Sequence, residues 1–292
     1  MIRKVRIFLE MIKFEHTIFA LPFAYIGMLL GAVTMEGRLP SWAEAGWITL
    51  AMFGARSAAM GLNRLIDKAI DLKNPRTEKR ALPAGLLKTG EVVLFVVLSF
   101  VLFFWAASKL DPVCIKLMPI AVFFLVIYSY AKRFTWLCHI ILGLTIGLAP
   151  LGGWVAVTGE FAPAAWVFYV GIVFWLSGFD TIYALQDIDF DRNEKVYSIP
   201  ARFGVKRSLM LAKCFHLVTS VCFIALFFMT DLSWIYLAGA LISIGILFYE
   251  HLILGPDDMS RLQTAFFTMN GWLSITMLIF TLLDLTVLRA WA

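Results

Sequence analysis

Nine runs of mainly apolar residues divide the chain, at 17–35, 46–62, 91–108, 113–131, 136–157, 164–186, 209–229, 233–254 and 265–288. A helix needs about 20 such residues to cross a bilayer. Inside hydrocarbon an unpaired backbone amide finds no water, so runs of this length predict helices. The pattern predicts an all-α integral membrane protein. Nine transmembrane helices would surround a central cavity closed by cytoplasmic cap loops, in a single membrane domain over 1–292. The first run is too long for a signal-peptide core and lacks a small-residue cleavage site, so it reads as a membrane helix. With no organelle signal before it, a prokaryotic plasma (inner) membrane is expected.

Charge orients the helices. With nine spans, the N-terminus and alternate loops share one side. Nineteen basic residues fall there: Arg3, Lys4, Arg6, Lys13, Arg64, Lys68, Lys73, Arg76, Lys79, Arg80, Lys88, Lys132, Arg133, Arg192, Lys195, Arg202, Lys206, Arg207 and Arg261. The other side has four, Arg38, Lys109, Lys116 and Arg289. Basic loops stay inside, so this split predicts a cytoplasmic N-terminus and an outer C-terminus. The net charge of +5 therefore reflects topology and anionic lipid, and no nucleic-acid partner is expected. Composition agrees with lipid as the solvent. Of the 292 residues, 61% are hydrophobic and 15% charged, against about 25% charged in a soluble domain. The four cysteines form no C-x-x-C pair, and the four histidines show no metal-ligand spacing. Neither predicts a zinc site.

The chemistry concentrates in two long basic loops, about 63–90 and 187–208. Asn63, Asp67 and Asp71 stand at i, i+4, i+8. Asp180, Asp187 and Asp191 stand at i, i+7, i+11. On a helix such spacings share one face, so each motif predicts a stripe of oxygens at a helix mouth. Like charges one turn apart repel unless cations compensate. Magnesium accepts one or two carboxylates, keeps waters and completes its shell with substrate phosphates. Two facing clusters therefore suit Mg2+ bridging a diphosphate, with Arg64, Arg76, Arg80 and Lys132 placed for its oxygens. Each motif is followed by Glu-Lys and then Pro-Ala, four spans apart, which hints at a parallel repeat. Arg56 and Asp180 lie deeper, where a charge costs at least about 2.5–3.5 kcal/mol. They either pair with each other or line a polar pocket.

The residues Asn63-x-x-x-Asp67-x-x-x-Asp71 with Arg76-Thr77-x-x-Arg80-x-Leu82-Pro83-x-Gly85 resemble the first signature of the UbiA family of membrane prenyltransferases. Tyr128-x-x-x-Lys132-Arg133 and Asp180-x-x-Tyr183-Ala184-x-x-Asp187-x-x-x-Asp191 resemble its further signatures, and the likeness spans nearly the whole chain. The 4-hydroxybenzoate polyprenyltransferases are similar in flavour. The segment from Lys13 to Ala20 resembles a quinone-synthesis subgroup, including menaquinone made through futalosine. The resemblance implies a prenyltransferase that moves a polyprenyl group from an isoprenyl diphosphate to an aromatic acceptor in ubiquinone or menaquinone biosynthesis. Asn63, Asp67, Asp187 and Asp191 would bind Mg2+, and Asp71 would join them or order the loop. Arg76, Arg80 and Lys132 would grip phosphate. Tyr128, Arg56 and Asp180 would surround the acceptor, with Asp180 a candidate base. Tyr128, Tyr183 and Phe179 would face the allylic cation or simply pack. Arg64 departs from the Asp that many hydroxybenzoate enzymes carry there, which leaves the acceptor open between 4-hydroxybenzoate and a futalosine-derived or naphthoate-type acid.

Two other classes fit less well. A CDP-alcohol phosphotransferase requires Asp-Gly before Ala55-Arg56, which is lacking, and leaves the second cluster without a role. A secondary transporter would place ion sites near the midplane on broken helices. Pro150 with Gly152-Gly153 offers one break, but most aspartates lie at the membrane edge.

Overall fold

A computed structural model describes residues 2–13 and 17–287. Phe14, Glu15 and His16 of the N-terminal segment and Arg289 fall outside the described residues. The regular elements are helices: α1 (Ile2–Met11), α2 (Thr17–Glu36), α3 (Trp42–Lys73), α4 (Thr89–Ala107), α5 (Pro112–Ala131), α6 (Cys138–Thr158), α7 (Pro163–Tyr183), α8 (Ile188–Asn193), α9 (Ile199–Met229), α10 (Trp234–Leu252) and α11 (Asn270–Val287). A 3-10 turn, Ala184–Asp187, joins α7 to α8, and a π-helical turn, Thr264–Met269, leads into α11. No strand forms among the described residues beyond one isolated bridge, Gly255 with Asp258.

Eight described helical spans are long and apolar enough to cross a membrane. The remaining expected span, 46–62, is helical within α3 but is not among the eight. That helix carries Arg56 within the span and Arg64 just beyond it, and both line the interior cavity. Large apolar side chains point outward along the bundle, including Leu94, Leu98 and Val101 of α4, Phe123 of α5 and Leu217 and Phe228 of α9. A belt of this kind is stable only against lipid.

The helices close around a cavity because neighbours pack in a ring. The helix α2 lies against α6 and α11, α6 against α5 and α7, α7 against α9, α9 against α10, and α10 against α11; α3 lies between α4 and α5. The core is aromatic, with Phe23, Phe168, Trp175 and Phe223 essentially inaccessible. At the α2–α6 crossing the backbones nearly touch. A Cβ built on Gly27 would sit 2.0 Å from the Pro150 carbonyl oxygen, and one on Gly153 would sit 2.2 Å from that of Ala24. Small residues at the crossing permit this approach.

Local signals set where α3 begins and ends. Ser41 and Glu44 form a capping box, in which Ser41 Oγ accepts from the Glu44 amide at 3.2 Å and Glu44 accepts from the Ser41 amide at 2.6 Å. The helix then runs 32 residues until Pro75 forbids helical geometry at Asn74. Asn63, Asp67 and Asp71 thus stay on one continuous helix. The second motif differs from its expected single helical face. Its helix tightens into the 3-10 turn at 184–187, so Asp180, Asp187 and Asp191 sit on three successive elements. The amphipathic α1 was absent from the expected elements. It docks through Met11 and Ile12 onto Leu82, Leu87 and Val92, with Phe8 stacked on Phe95 at 4.9 Å and Lys4 ion-paired with Glu91.

Candidate active site

One cavity of about 530 Å3 occupies the bundle interior, and all twelve nominated residues line it. Its polar end gathers the C-terminal turns of α3, α5 and α7. Its apolar end is walled by Ile48, Met52, Phe103, Leu117 and Val155 from the opposite ends of the helices.

Asp67 is 1% exposed and heavily compensated. Its Oδ2 accepts from Asn63 Nδ2 at 2.8 Å and pairs with Lys132 Nζ at 2.6 Å, while Oδ1 accepts from Arg133 Nη1 at 2.9 Å. Arg133 also donates to the carbonyls of Ile66 and Ser129, which ties α5 to α3. One turn on, Asp71 accepts from Arg80 Nη1 through both oxygens at 2.8 and 2.9 Å.

Across the cavity, Asp187 accepts from Arg76 Nε and from Asn74 Nδ2, each at 2.9 Å. Arg76 Nη1 also donates to the Tyr183 hydroxyl at 2.9 Å. Burial is the largest single influence and works against charge on Arg76, but the hydrogen bonds and charges of Asp187 and Tyr183 together outweigh it and hold the guanidinium above its usual range. It is therefore a permanent cation at the rim. Asp191 accepts from Ser198 Oγ at 2.7 Å, and the same hydroxyl caps α9. Lys73 and Glu194 add an exposed ion pair of 2.6 Å between the two loops.

The deeper groups take partners that the sequence did not indicate. Asp180 is bound by His139 Nδ1 at 2.6 Å, so the Arg56–Asp180 pair considered from sequence is not how Asp180 is held. Arg56 Nη2 donates to the Lys13 and Ile12 carbonyls at 2.8 and 3.3 Å. Arg64, 6% exposed, donates to the Met11 carbonyl at 3.3 Å and to Asn63 Oδ1 at 3.2 Å. Both arginines thus hold the end of α1 over the cavity. The Tyr128 hydroxyl donates to the Ala59 carbonyl at 2.9 Å. Phe179 packs among Phe19, Trp175 and Phe266.

An end rich in carboxylates and guanidinium groups, opening onto an apolar channel, can hold an anionic headgroup and a long hydrocarbon tail. A profile of the UbiA prenyltransferase family matches residues 20–274. The chain belongs to the UbiA prenyltransferase family. It is 27% identical over 277 residues to the 4-hydroxybenzoate octaprenyltransferase of Vibrio campbellii, covering 94% of this chain and 96% of that one. It is 33% identical over 216 residues to the Vibrio atlanticus protein of the same name, covering 74% and 75%. The apo structure of a UbiA homologue from Aeropyrum pernix K1 superposes with a TM-score of 0.84 at 30% identity, over 92% of this chain and 98% of that one. A UbiA homologue from Archaeoglobus fulgidus bound to DMAPP and Mg2+ shares the fold, with a TM-score of 0.71 at 19% identity over 96% and 99%. The chain is thus a multi-pass membrane prenyltransferase.

Four side chains around the site of this UbiA prenyltransferase escaped assignment from sequence. Arg133 was visible in the Tyr128-x-x-x-Lys132-Arg133 motif but carried no role. Asn74 sat beside the loop proline, a helix-stop signal rather than a ligand signal. Ser198 reads as a helix cap, which it also is. His139 gave no signal, because its partner lies 41 positions away on another helix.

Proposed function

We propose that this prenyltransferase transfers a polyprenyl group from an isoprenyl diphosphate to an aromatic acceptor such as 4-hydroxybenzoate, in quinone biosynthesis, with Mg2+ as cofactor. The observation that carries the reading is the meeting of both aspartate motifs and five cations, Arg64, Arg76, Arg80, Lys132 and Arg133, at the polar end of a cavity that is apolar at its other end. The names of the Vibrio relatives support the acceptor. The basic-loop asymmetry supports a nine-span topology with this end cytoplasmic, in an inner membrane.

The donor set suits magnesium only in company with substrate. Among the described residues, no group of three or more His, Cys, Asp or Glu side chains could hold a metal ion. Each motif instead offers two hard-oxygen groups, Asn63 with Asp67 and Asp187 with Asp191, which matches an ion that takes one or two carboxylates and completes its shell with phosphate. Bound there, magnesium supplies the positive charge that polarises a departing diphosphate.

The protein's own groups do the rest. Lys132, Arg133 and Arg76 balance the aspartates and stand where they would meet the oxygens of a bound diphosphate. Arg80 and Asp71 order the 74–88 loop across the entrance. The apolar walls hold the tail and exclude water, so that an allylic cation formed on loss of diphosphate meets the acceptor before it meets a hydroxyl. Tyr183, tilted against Phe266 with ring centroids 4.1 Å apart, lines the same space with an aromatic ring.

The test is transfer of radiolabelled geranylgeranyl diphosphate or a longer homologue to 4-hydroxybenzoate in membranes, with and without magnesium, beside Asp67→Ala and Asp187→Ala. Magnesium-dependent product that both variants lose supports the reading. Diphosphate binding without product moves the acceptor to a futalosine-derived or naphthoate-type acid. A folded protein that binds no prenyl diphosphate would refute it.

A further inference from the structure

Two turns that depart from α-helical geometry meet beside the site. One is the 3-10 turn Ala184–Asp187, which carries Asp187; the other is the π-helical turn Thr264–Met269, which leads into α11. Gln263, just before the π-helical turn, donates from Nε2 to Gln186 Oε1 at 3.0 Å, and Gln186 Nε2 donates in turn to the Tyr183 carbonyl at 2.9 Å. Within the π-helical turn, the Phe266 ring lies against Tyr183 and, at 5.4 Å between centroids, against Phe179. Such turns are rare and gather at functional sites, and one common cause is a side chain inserted into the helical ladder. Asn270 is that side chain. Its backbone amide bonds to the Phe267 carbonyl, while its fully buried side chain donates from Nδ2 to the carbonyls of Ala265 and Phe266 at 3.0 and 3.1 Å. The Phe266 carbonyl is the acceptor that an α-helix would give to the Asn270 backbone amide. Asn270 Oδ1 accepts from Trp175 Nε1 at 2.7 Å, and because an indole nitrogen only donates, the orientation of the amide is fixed. Glu250 of α10, also fully buried, meets the same Nδ2 at 3.4 Å. Asn270 thus ties α11 to α7 and α10 at the turn that carries Phe266.

We infer that the π-helical turn aims the second aspartate motif, and that Asn270 is the positioning residue, acting through Phe266, Tyr183 and Arg76 on Asp187. The inference rests on the diphosphate-site reading above and adds to it a residue remote from the carboxylates. The second motif needs an external support. A 3-10 turn has poorer hydrogen-bond geometry than an α-helix, so α7 alone does not fix the direction of Asp187, and Arg76 comes from a loop. The chain of contacts supplies the support. The Asn270 amide holds the turn, the turn holds the Phe266 ring, and the ring backs Tyr183. The Tyr183 hydroxyl accepts from Arg76 Nη1, whose guanidinium carbon lies 5.2 Å from the tyrosine ring centroid, and the same guanidinium donates to Asp187. A π-helical turn holds one residue more than an α-helical one. Its relaxation to α geometry would turn the residues before it, Phe266 among them, by up to about 100° relative to α11. Tyr183 would then lose its backing, and Arg76 its fixed point.

The experiment measures equilibrium binding of labelled geranylgeranyl diphosphate with magnesium to detergent-solubilised protein. It compares wild type, Asn270→Leu, Phe266→Leu, Gln263→Ala and Arg76→Lys, and combines each of the first two substitutions with Arg76→Lys. Size-exclusion elution and thermal unfolding identify the folded variants. Asn270→Leu and Phe266→Leu are each expected to raise Kd about tenfold, as for other groups that act by orienting a binding one. Gln263→Ala, which removes one exposed hydrogen bond, is expected to raise it about 2–5-fold. Arg76→Lys is expected to raise it about tenfold. On top of Arg76→Lys, Asn270→Leu or Phe266→Leu is expected to add less than about twofold, because the same chain of contacts is already broken; independent effects would multiply to about 100-fold. Effects that multiply overturn the positioning role, since a merely structural loss adds to any background. Binding within about twofold of wild type in both Asn270→Leu and Phe266→Leu overturns it too. Where Asn270→Leu fails to fold, Phe266→Leu and its combination with Arg76→Lys decide by the same criteria. Wild type that binds while the variants match it leaves the diphosphate site standing and removes only the role of Asn270. Wild type that binds no prenyl diphosphate removes the reading of the site, and this inference falls with it.

Discussion

Two adjacent glycines on α6 make opposite demands, and a methyl group at each distinguishes them. A Cβ on Gly153 would lie 2.2 Å from the Ala24 carbonyl oxygen, whereas real Cβ atoms essentially never approach within 3.0 Å. Gly153→Ala therefore forces α2 and α6 apart by roughly 0.8 Å, the difference between those two distances. No flexible side chain can absorb the shift, because the obstructing atoms are backbone. A gap of that size forfeits a quarter to a half of the attraction, about 0.1–0.2 kcal/mol per atom pair, across a few tens of pairs. The loss comes to about 1–3 kcal/mol, in line with measured overpacking. Between lipid-embedded helices packing is the main cohesive force, so little else offsets it. Gly152 meets nothing within 4 Å and faces the cavity, so Gly152→Ala keeps the crossing intact and gains helix propensity of up to about 1 kcal/mol. Thermal unfolding in detergent, followed by near-ultraviolet circular dichroism, checks both. Gly153→Ala is expected to lower Tm by about 2–8 °C, and Gly152→Ala to leave it unchanged or raise it. Equal Tm values for the two variants would refute the close-crossing argument.

Further outcomes follow from the site. Chelating divalent cations is expected to abolish prenyl transfer, and added magnesium to restore it, measured as product formed from labelled prenyl diphosphate. Arg76→Lys loses the fork that joins Asp187 and Tyr183, and is expected to raise KM for the prenyl diphosphate about tenfold; unchanged steady-state kinetics would count against a phosphate role. Arg64→Met removes the donor to the Met11 carbonyl, and faster limited proteolysis within residues 2–13 is expected. Lys73→Ala, which removes an exposed ion pair with Glu194, is expected to shift Tm by no more than about 2 °C, since such pairs contribute about 0–1 kcal/mol.

The buried carboxylates of the site explain why nearby cations are so numerous. Asp67 at 1% exposure could not stay ionised in an apolar bundle without partners. Lys132, Arg133 and Asn63 supply them from two helices. Under the proposed function, a diphosphate and a divalent ion that arrive together would keep the charge balance while these pairings exchange.

The apolar runs fixed the helices in advance, because a span of about 20 residues is a local requirement that no tertiary contact relaxes. The acidic spacings were legible for the same reason, as one chain face on one helix. On α3 that reading held, because Pro75 alone ends the helix. On the second motif it did not, since the 3-10 turn at 184–187 re-aims Asp187 and Asp191 in a way that periodicity does not encode. The amphipathic α1 escaped because a short charged helix carries no membrane signal until Leu82, Leu87 and Val92 are folded beneath it. Composition and spacing thus determined the solvent, the helices and the existence of a carboxylate-rich end. Only the packing of α6 on α7 joined His139 to Asp180, and only the 74–88 loop brought Asn74 and Arg76 to Asp187. A hydrogen bond reaches about 3 Å, and which distant residues come within that reach is decided by the packing of whole helices rather than by their order in the chain.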